Sequence, residues 1–249
     1  MRNDFKGKGT AMKCFLTSYC LNEEGELNPA NSFVDELKSA LNPRICGLFV
    51  ASAPEEYDDT DCFSHETKGA FEESGFRFNR YDVLDRRTAS QTETLVSNAD
   101  IIVLCGGHVP TQNRFFEEIG LRRTLAGFNG VVVGVSAGSV NCADVVYSPP
   151  ELEGEAVDPN YRRFLRGLNL TKTSLIPHYN ELVKTTLDGL NYFRDVLIPD
   201  SDGRKFYGIN DGGYLYIHDG QEELRGESYL LENGNATRLI DCGERTALH

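Results

Sequence analysis

The string VVVGVSAGSVNCADVVY holds Gly134, Ser136 and Gly138 as GxSxG, directly after an apolar strand run and before a helix-compatible segment. At a tight strand-to-helix turn, small neighbours let the backbone pass closely and lift the serine oxygen above the sheet. The amide of Ala137 and the start of the helix then face developing negative charge. Ser136 is the expected nucleophile. A serine hydroxyl needs a base, and the histidines are His65, His108, His178, His218 and His249. His178, in SLIPHYN, follows an apolar strand run and precedes a helical one, which puts its imidazole at the same end of the sheet as Ser136. His218 precedes the Asp219-Gly220 turn, His249 is terminal, and His65 reads as a surface or capping residue.

A third group must orient the base and favour its charged form. The acidic stretch SPPELEGEAVDPN offers Glu151, Glu153, Glu155 and Asp158. Glu151 is chosen because it lies nearest the end of the elbow helix, with Glu153 and Glu155 as alternatives; Asp144 reads as a surface residue. A second amide for the oxyanion is expected from another strand end. Gly106-Gly107 after IIVLC supplies close backbone, so Gly107 pairs with Ala137 as the expected oxyanion hole. His108 and Gln112 then face the cleft as binding candidates, His108 competing with His178 as base. Arg162, Arg163 and Arg166 are candidates to pair with a substrate carboxylate.

These residues require strands that end together. MKCFLTSY reads as a first buried strand and NSFVDELKSALN as a helix capped by Asn31 or Ser32. A strand is expected over 45–51, a helix near 64–74, an extended segment over 76–83 and a short helix over 92–98. Strand 101–105, helix 112–126 and strand 131–135 then give the α/β order of a parallel sheet covered on both faces. SPPELEGEAVDPN reads as a long loop lining a cleft. The last third predicts a helix over 180–193 and strands near 205–209, 214–218, 227–231 and 236–240. Asp219-Gly220 and Asn233-Gly234 mark turns, the second a hairpin at an antiparallel edge. Residues 1–11 read as a flexible arm, with Met12 an alternative start, and 12–249 as one catalytic domain.

The 249 residues carry 38 acidic and 25 basic side chains, a net charge of -13 that opposes a nucleic-acid backbone. No apolar run reaches the length of a membrane helix, and the opening residues lack a secretion signal, so a cytoplasmic protein is expected. Seven scattered cysteines form no CxxC pair and no metal-ligand spacing, which favours reduced thiols and no metal. GxGxxG and GxxxxGK[ST] are absent, leaving nucleotide binding without support.

LCGGHVPTQN, GVSAGS and PHYN, in that order, resemble the family S51 serine peptidases, which include aspartyl dipeptidases and cyanophycinases. The resemblance runs from Met12 into the C-terminal strands. It implies a flavodoxin-like three-layer α/β/α sandwich related to class I glutamine amidotransferases, its mostly parallel sheet carrying C-terminal antiparallel strands. It also implies Ser136 as nucleophile, His178 as base and Gly107 in the oxyanion hole, while the acidic member stays open among the glutamates of PPELEGE. The expected activity is hydrolysis of a small peptide or isopeptide, with aspartyl-containing peptides among the candidate substrates, through an acyl-enzyme and without a cofactor. An α/β-hydrolase-type esterase and a non-catalytic small-ligand-binding protein are the alternatives, and both a monomer and a homodimer are compatible with the chain.

Overall fold

The computed structural model describes residues 12–248; the proposed arm at 1–11 and the terminal His249 lie outside them. Its elements, in chain order, begin with β1 (Lys13–Thr17), α1 (Phe33–Ala40), β2 (Arg44–Val50), α2 (Tyr57–Glu73), β3 (Arg77–Leu84), α3 (Thr92–Asn98) and β4 (Ile101–Leu104). The middle of the chain forms α4 (Val109–Glu118), α5 (Leu121–Leu125), β5 (Val131–Val135), α6 (Ala137–Val140), β6 (Val145–Tyr147), β7 (Phe164–Arg166) and β8 (Leu175–Ile176). The last part holds α7 (Tyr179–Leu182), β9 (Thr186–Leu187), β10 (Leu190–Asn191), β11 (Lys205–Ile209), β12 (Tyr214–His218), β13 (Gln221–Arg225), β14 (Ser228–Glu232), β15 (Asn235–Ile240) and β16 (Arg245–Leu248).

Successive side chains of a strand point to opposite faces, and the central strands are apolar on both. Leu16, Val50, Ile102 and Val132 pack with Leu95, Phe115, Phe116 and Leu121 of α3, α4 and α5. Their neighbours Phe15, Phe49, Val103 and Val133 pack with Phe33, Leu37 and Phe71 of α1 and α2. This alternation makes a three-layer α/β/α sandwich around an eight-stranded sheet of order β16-β13-β12-β1-β5-β4-β2-β3. β1, β5, β4, β2 and β3 run parallel, while β12, β13 and β16 extend the sheet in antiparallel pairs. A second sheet, β15-β14-β11-β8, stands beside it.

Within the second sheet β8 and β11 are parallel, with Ile176 opposite Gly208. The residues that follow these two strands therefore emerge side by side. The Asn233-Gly234 hairpin forms as expected, with Glu232 opposite Asn235 and both turn residues at positive φ.

Three helices differ from their sequence patterns: the one expected near 64–74 is α2, which begins earlier, at Tyr57. The expected helix over 112–126 begins earlier, at Val109, where Pro110 suits the first turn. It breaks at Gly120, whose φ of 65° ends α4 and opens α5. The expected helix over 180–193 is only α7. Asp188 and Gly189 both adopt positive φ and turn β9 back on β10, and a π-type turn over Tyr192–Leu197 follows. The helical spacing of its apolar residues is satisfied instead by a small cluster that buries Tyr179, Tyr192 and Leu197. No helix among the described residues is long and apolar enough to cross a membrane.

Candidate active site

The carboxyl ends of the parallel strands are where an open α/β sheet gathers its ligands, and the chemically capable residues collect there. Ser136 follows β5 with φ 47° and ψ -112°, a conformation that side chains rarely adopt and that strand-to-helix elbows hold under strain. Its amide donates to the Thr17 and Ser18 carbonyls at the end of β1. Ser139 Oγ donates to the Thr17 carbonyl at 2.7 Å, and Thr17 Oγ1 donates to the Gly134 carbonyl at 2.8 Å. The glycines are there for space. A Cβ on Gly134 would lie 2.8 Å from the Ser139 backbone, and one on Gly138 would strike the Leu104 carbonyl.

His178 follows β8, itself at positive φ, and its Nε2 lies 3.1 Å from Ser136 Oγ. Its Nδ1 lies 2.8 Å from Oδ1 of Asp211, which follows β11. Ser18 fastens this pair: its hydroxyl accepts the His178 amide at 2.8 Å and donates to the same Asp211 oxygen at 2.6 Å. Asn210, beside Asp211, accepts the Asn180 amide at 2.9 Å. Two parallel strands and one buried serine thus fix the order serine, histidine, aspartate.

The charges follow this geometry. Burial lowers the His178 pKa, but the Asp211 hydrogen bond and charge, with Glu181 and Glu151 beyond, outweigh it and raise the imidazole above its ordinary value. Burial raises the Asp211 carboxyl, yet the bonds from His178 and Ser18 and the His178 charge hold it below the usual carboxylate range.

Glu151 is not the carboxylate on His178, which corrects the expectation from sequence. The residue stands at the surface, while its carboxylate reaches the Val109 amide at 3.3 Å. It shares a cavity of about 60 Å³ with Ser136, Ala137 and His178. Burial there, against the Val109 hydrogen bond, pushes its pKa up to about 7. Glu153 is exposed, and Glu155 accepts the Glu151 and Leu152 amides and pairs with His108 Nε2 at 2.9 Å. His108 is thereby held on the acidic loop and by Thr111, and it lines neither cavity at Ser136.

Gln112 is fully buried, donates to the Cys105 carbonyl at 2.7 Å and accepts from Asn141, so it braces the strand end instead of facing a ligand. Arg162 is exposed and lines neither cavity, and Arg166 borders a separate one with Asn113 and Arg122. Arg163 pairs with Asp200 at 3.3 Å. Gly107, at φ 149°, and Ser136 line the same cavity of about 360 Å³, and a Cβ on Gly107 would collide with Ser52. Among the described residues, neither the Gly107 nor the Ala137 backbone amide has a backbone acceptor. A larger cavity of about 600 Å³ lies at the opposite, amino end of the strands, bordered by Lys13, Ile45, Asp100 and Val131. It contains none of these groups.

Asp211 and Ser18 were not singled out from sequence. Ser18 lies near the end of the strand read as MKCFLTSY, and Asp211 two residues beyond the strand KFYGI. The pairing of β11 with β8, which brings Asp211 to His178, joins segments far apart in the chain and has no local signature.

A strained serine elbow backed by a histidine and an aspartate, at the carboxyl edge of a three-layer α/β/α sandwich, defines an α/β protein of hydrolase type. The chain belongs to peptidase family S51, whose model matches residues 14–225. Among solved structures it is similar to a peptidase from an acI-B1 Actinobacterium, at TM-score 0.65 and 18% identity, covering 96% of this chain and 98% of that one. It is also similar to a protein from Listeria monocytogenes EGD-e provisionally called peptidase E, at TM-score 0.58 and 18% identity, covering 92% and 99% of the two chains. No curated protein sequence matches it.

Proposed function

We propose that this peptidase hydrolyses a small peptide or isopeptide through an acyl-enzyme on Ser136. The observation that carries the reading is the continuous contact from Ser136 Oγ to His178 Nε2 at 3.1 Å and from His178 Nδ1 to Asp211 at 2.8 Å. His178 takes the Ser136 proton as Oγ attacks the carbonyl carbon, and Asp211 stabilises the imidazolium that forms. The Ala137 and Gly107 amides receive the oxyanion. As the carbonyl re-forms, the C–N bond breaks and His178 returns the proton to the leaving amine. A water activated by the same imidazole then releases the acid and restores the serine.

A ligand-binding protein without catalysis would have Ser136 and His178 turned apart, so their contact favours the enzymatic reading. A cytoplasmic site of action belongs to the same reading, supported by seven free cysteines of the kind a reducing compartment maintains. Incubation with a dipeptide panel that includes α- and β-aspartyl members tests it. Release of amino acids by the wild type and its loss in Ser136→Ala is expected; equal release by both would overturn the serine mechanism.

A further inference from the structure

The cavity of about 360 Å³ beside Ser136 is walled by Tyr19, Leu21, Phe49, Phe63, Val103 and Val135. Its volume sits at the small end of ligand pockets, roughly 300–1,000 Å³, enough for one side chain and its flanking backbone. Tyr19 and Phe63 are 42% and 51% exposed although they border this concave surface. Cys20 and Cys105 also line it, and burial pushes their thiols up to about 12 and about 11, so both are neutral. Besides the reacting groups and Tyr19, the polar residues of the lining are Ser52, Thr67 and Glu66.

No lysine or arginine among the described residues lines the cavity. The arginines nearest in sequence to the acidic loop are engaged or directed elsewhere, as Arg163 on Asp200 and Arg166 beside Arg122 illustrate. A carboxylate entering this space would lose its water without gaining a lysine or arginine partner. It would also meet Glu66 in a chain whose net charge is already -13. An apolar side chain would instead cover the exposed faces of Tyr19 and Phe63 and gain the area removed from water.

We propose that the substrate carries an apolar or aromatic side chain beside the scissile bond, seated against Tyr19 and Phe63, and that an acidic side chain is rejected there. This rests on the serine peptidase reading and sets its specificity against the aspartyl preference that the family resemblance suggested. Two measurements test it. In turnover, the better of Phe-Ala and Ala-Phe is expected to exceed the better of Asp-Ala and Ala-Asp by at least about tenfold in kcat/KM. Phe63→Ala should narrow that preference about tenfold, chiefly through KM, and Glu66→Lys should raise the relative use of the aspartyl substrates. Equal or faster Ser136-dependent cleavage of the aspartyl peptides would overturn the proposal and leave the serine mechanism standing.

The second measurement is calorimetric binding of the same dipeptides to Ser136→Ala, which reads the cavity without chemistry. At least about tenfold tighter binding of the phenylalanyl peptides is expected. Equal or tighter binding of the aspartyl peptides refutes the proposal whatever the turnover experiment gives. Turnover unchanged in Ser136→Ala, with the binding preference intact, would sink the mechanism alone.

Discussion

Replacing Asp211 by Asn tests the role of the carboxylate that sequence reading missed. The imidazolium and carboxylate charge centres are separated by about 4 Å when the hydrogen bond is 2.8 Å. At that distance a pair is worth about 1 kcal/mol in bulk water and about 4 kcal/mol at an effective dielectric of 20. Asp211 is 47% exposed, so about 2–3 kcal/mol is the reasonable range, and at 1.36 kcal/mol per decade kcat falls about 30–160-fold. The pH profile moves with it. The base must be neutral to accept the serine proton, and His178 titrates above its ordinary value because Asp211 favours the imidazolium. The acid limb of kcat/KM therefore lies above pH 6.5 in the wild type. In Asp211→Asn the desolvation remains while the opposing charge is gone, so the limb shifts to lower pH. Steady-state kinetics from pH 4.5 to 9 reads both effects, with Glu151→Gln as comparator, since Glu151 acts on His178 only through space. Its loss should stay under about tenfold. An Asp211→Asn enzyme within threefold of wild type with an unmoved limb, or the larger loss in Glu151→Gln, would refute the assignment.

Two further substitutions probe the framework. Gly138→Ala would drive a Cβ into the Leu104 carbonyl of β4, and overpacking of this kind costs about 1–3 kcal/mol. At about 2–4 °C per kcal/mol for a chain of this size, calorimetry should show Tm lowered by about 2–12 °C; an unchanged Tm contradicts the close approach. Glu155→Ala removes the acceptor of the Glu151 and Leu152 amides and the partner of His108. Even one of these three charged contacts is worth about tenfold in loop opening, so limited proteolysis within residues 148–163 should accelerate by at least about that factor. Unaltered cleavage would show that these contacts do not hold the loop.

The elbow and the histidine were legible because their signals are local. GxSxG follows an uninterrupted valine strand, and PHYN follows Leu175–Ile176, so each residue's place at a strand end can be read without knowing the neighbours. Asp211 could not be found this way. KFYGI was read as a strand without an assigned partner; β11 lies between β14 and β8 and is parallel to β8, and only that pairing delivers Asp211 to His178. The attraction of Glu151 was sequence proximity to the elbow helix, and the loop does bring it close, into the small cavity rather than onto the imidazole. The helix expected over 180–193 failed because Asp188-Gly189 turn chemistry overrode an apolar spacing compatible with a helix. β13 (QEELR) and β16 (RTAL) lack a continuous apolar run, and they join the sheet by pairing in turn, β13 on β12 and β16 on β13. Gln112 was misplaced for a related reason: an amide at the start of a helix beside a cleft can face inward, and here it is spent on Cys105 and Asn141.

The most direct test of the central claim is covalent capture of the nucleophile. Reaction with a fluorophosphonate, followed by peptide mass spectrometry, should place a single adduct on Ser136, in proportion to the loss of dipeptide hydrolysis, and Ser136→Ala should neither label nor hydrolyse. Hydrolysis that persists in Ser136→Ala, or inactivation accompanied by labelling at another residue, would contradict the account.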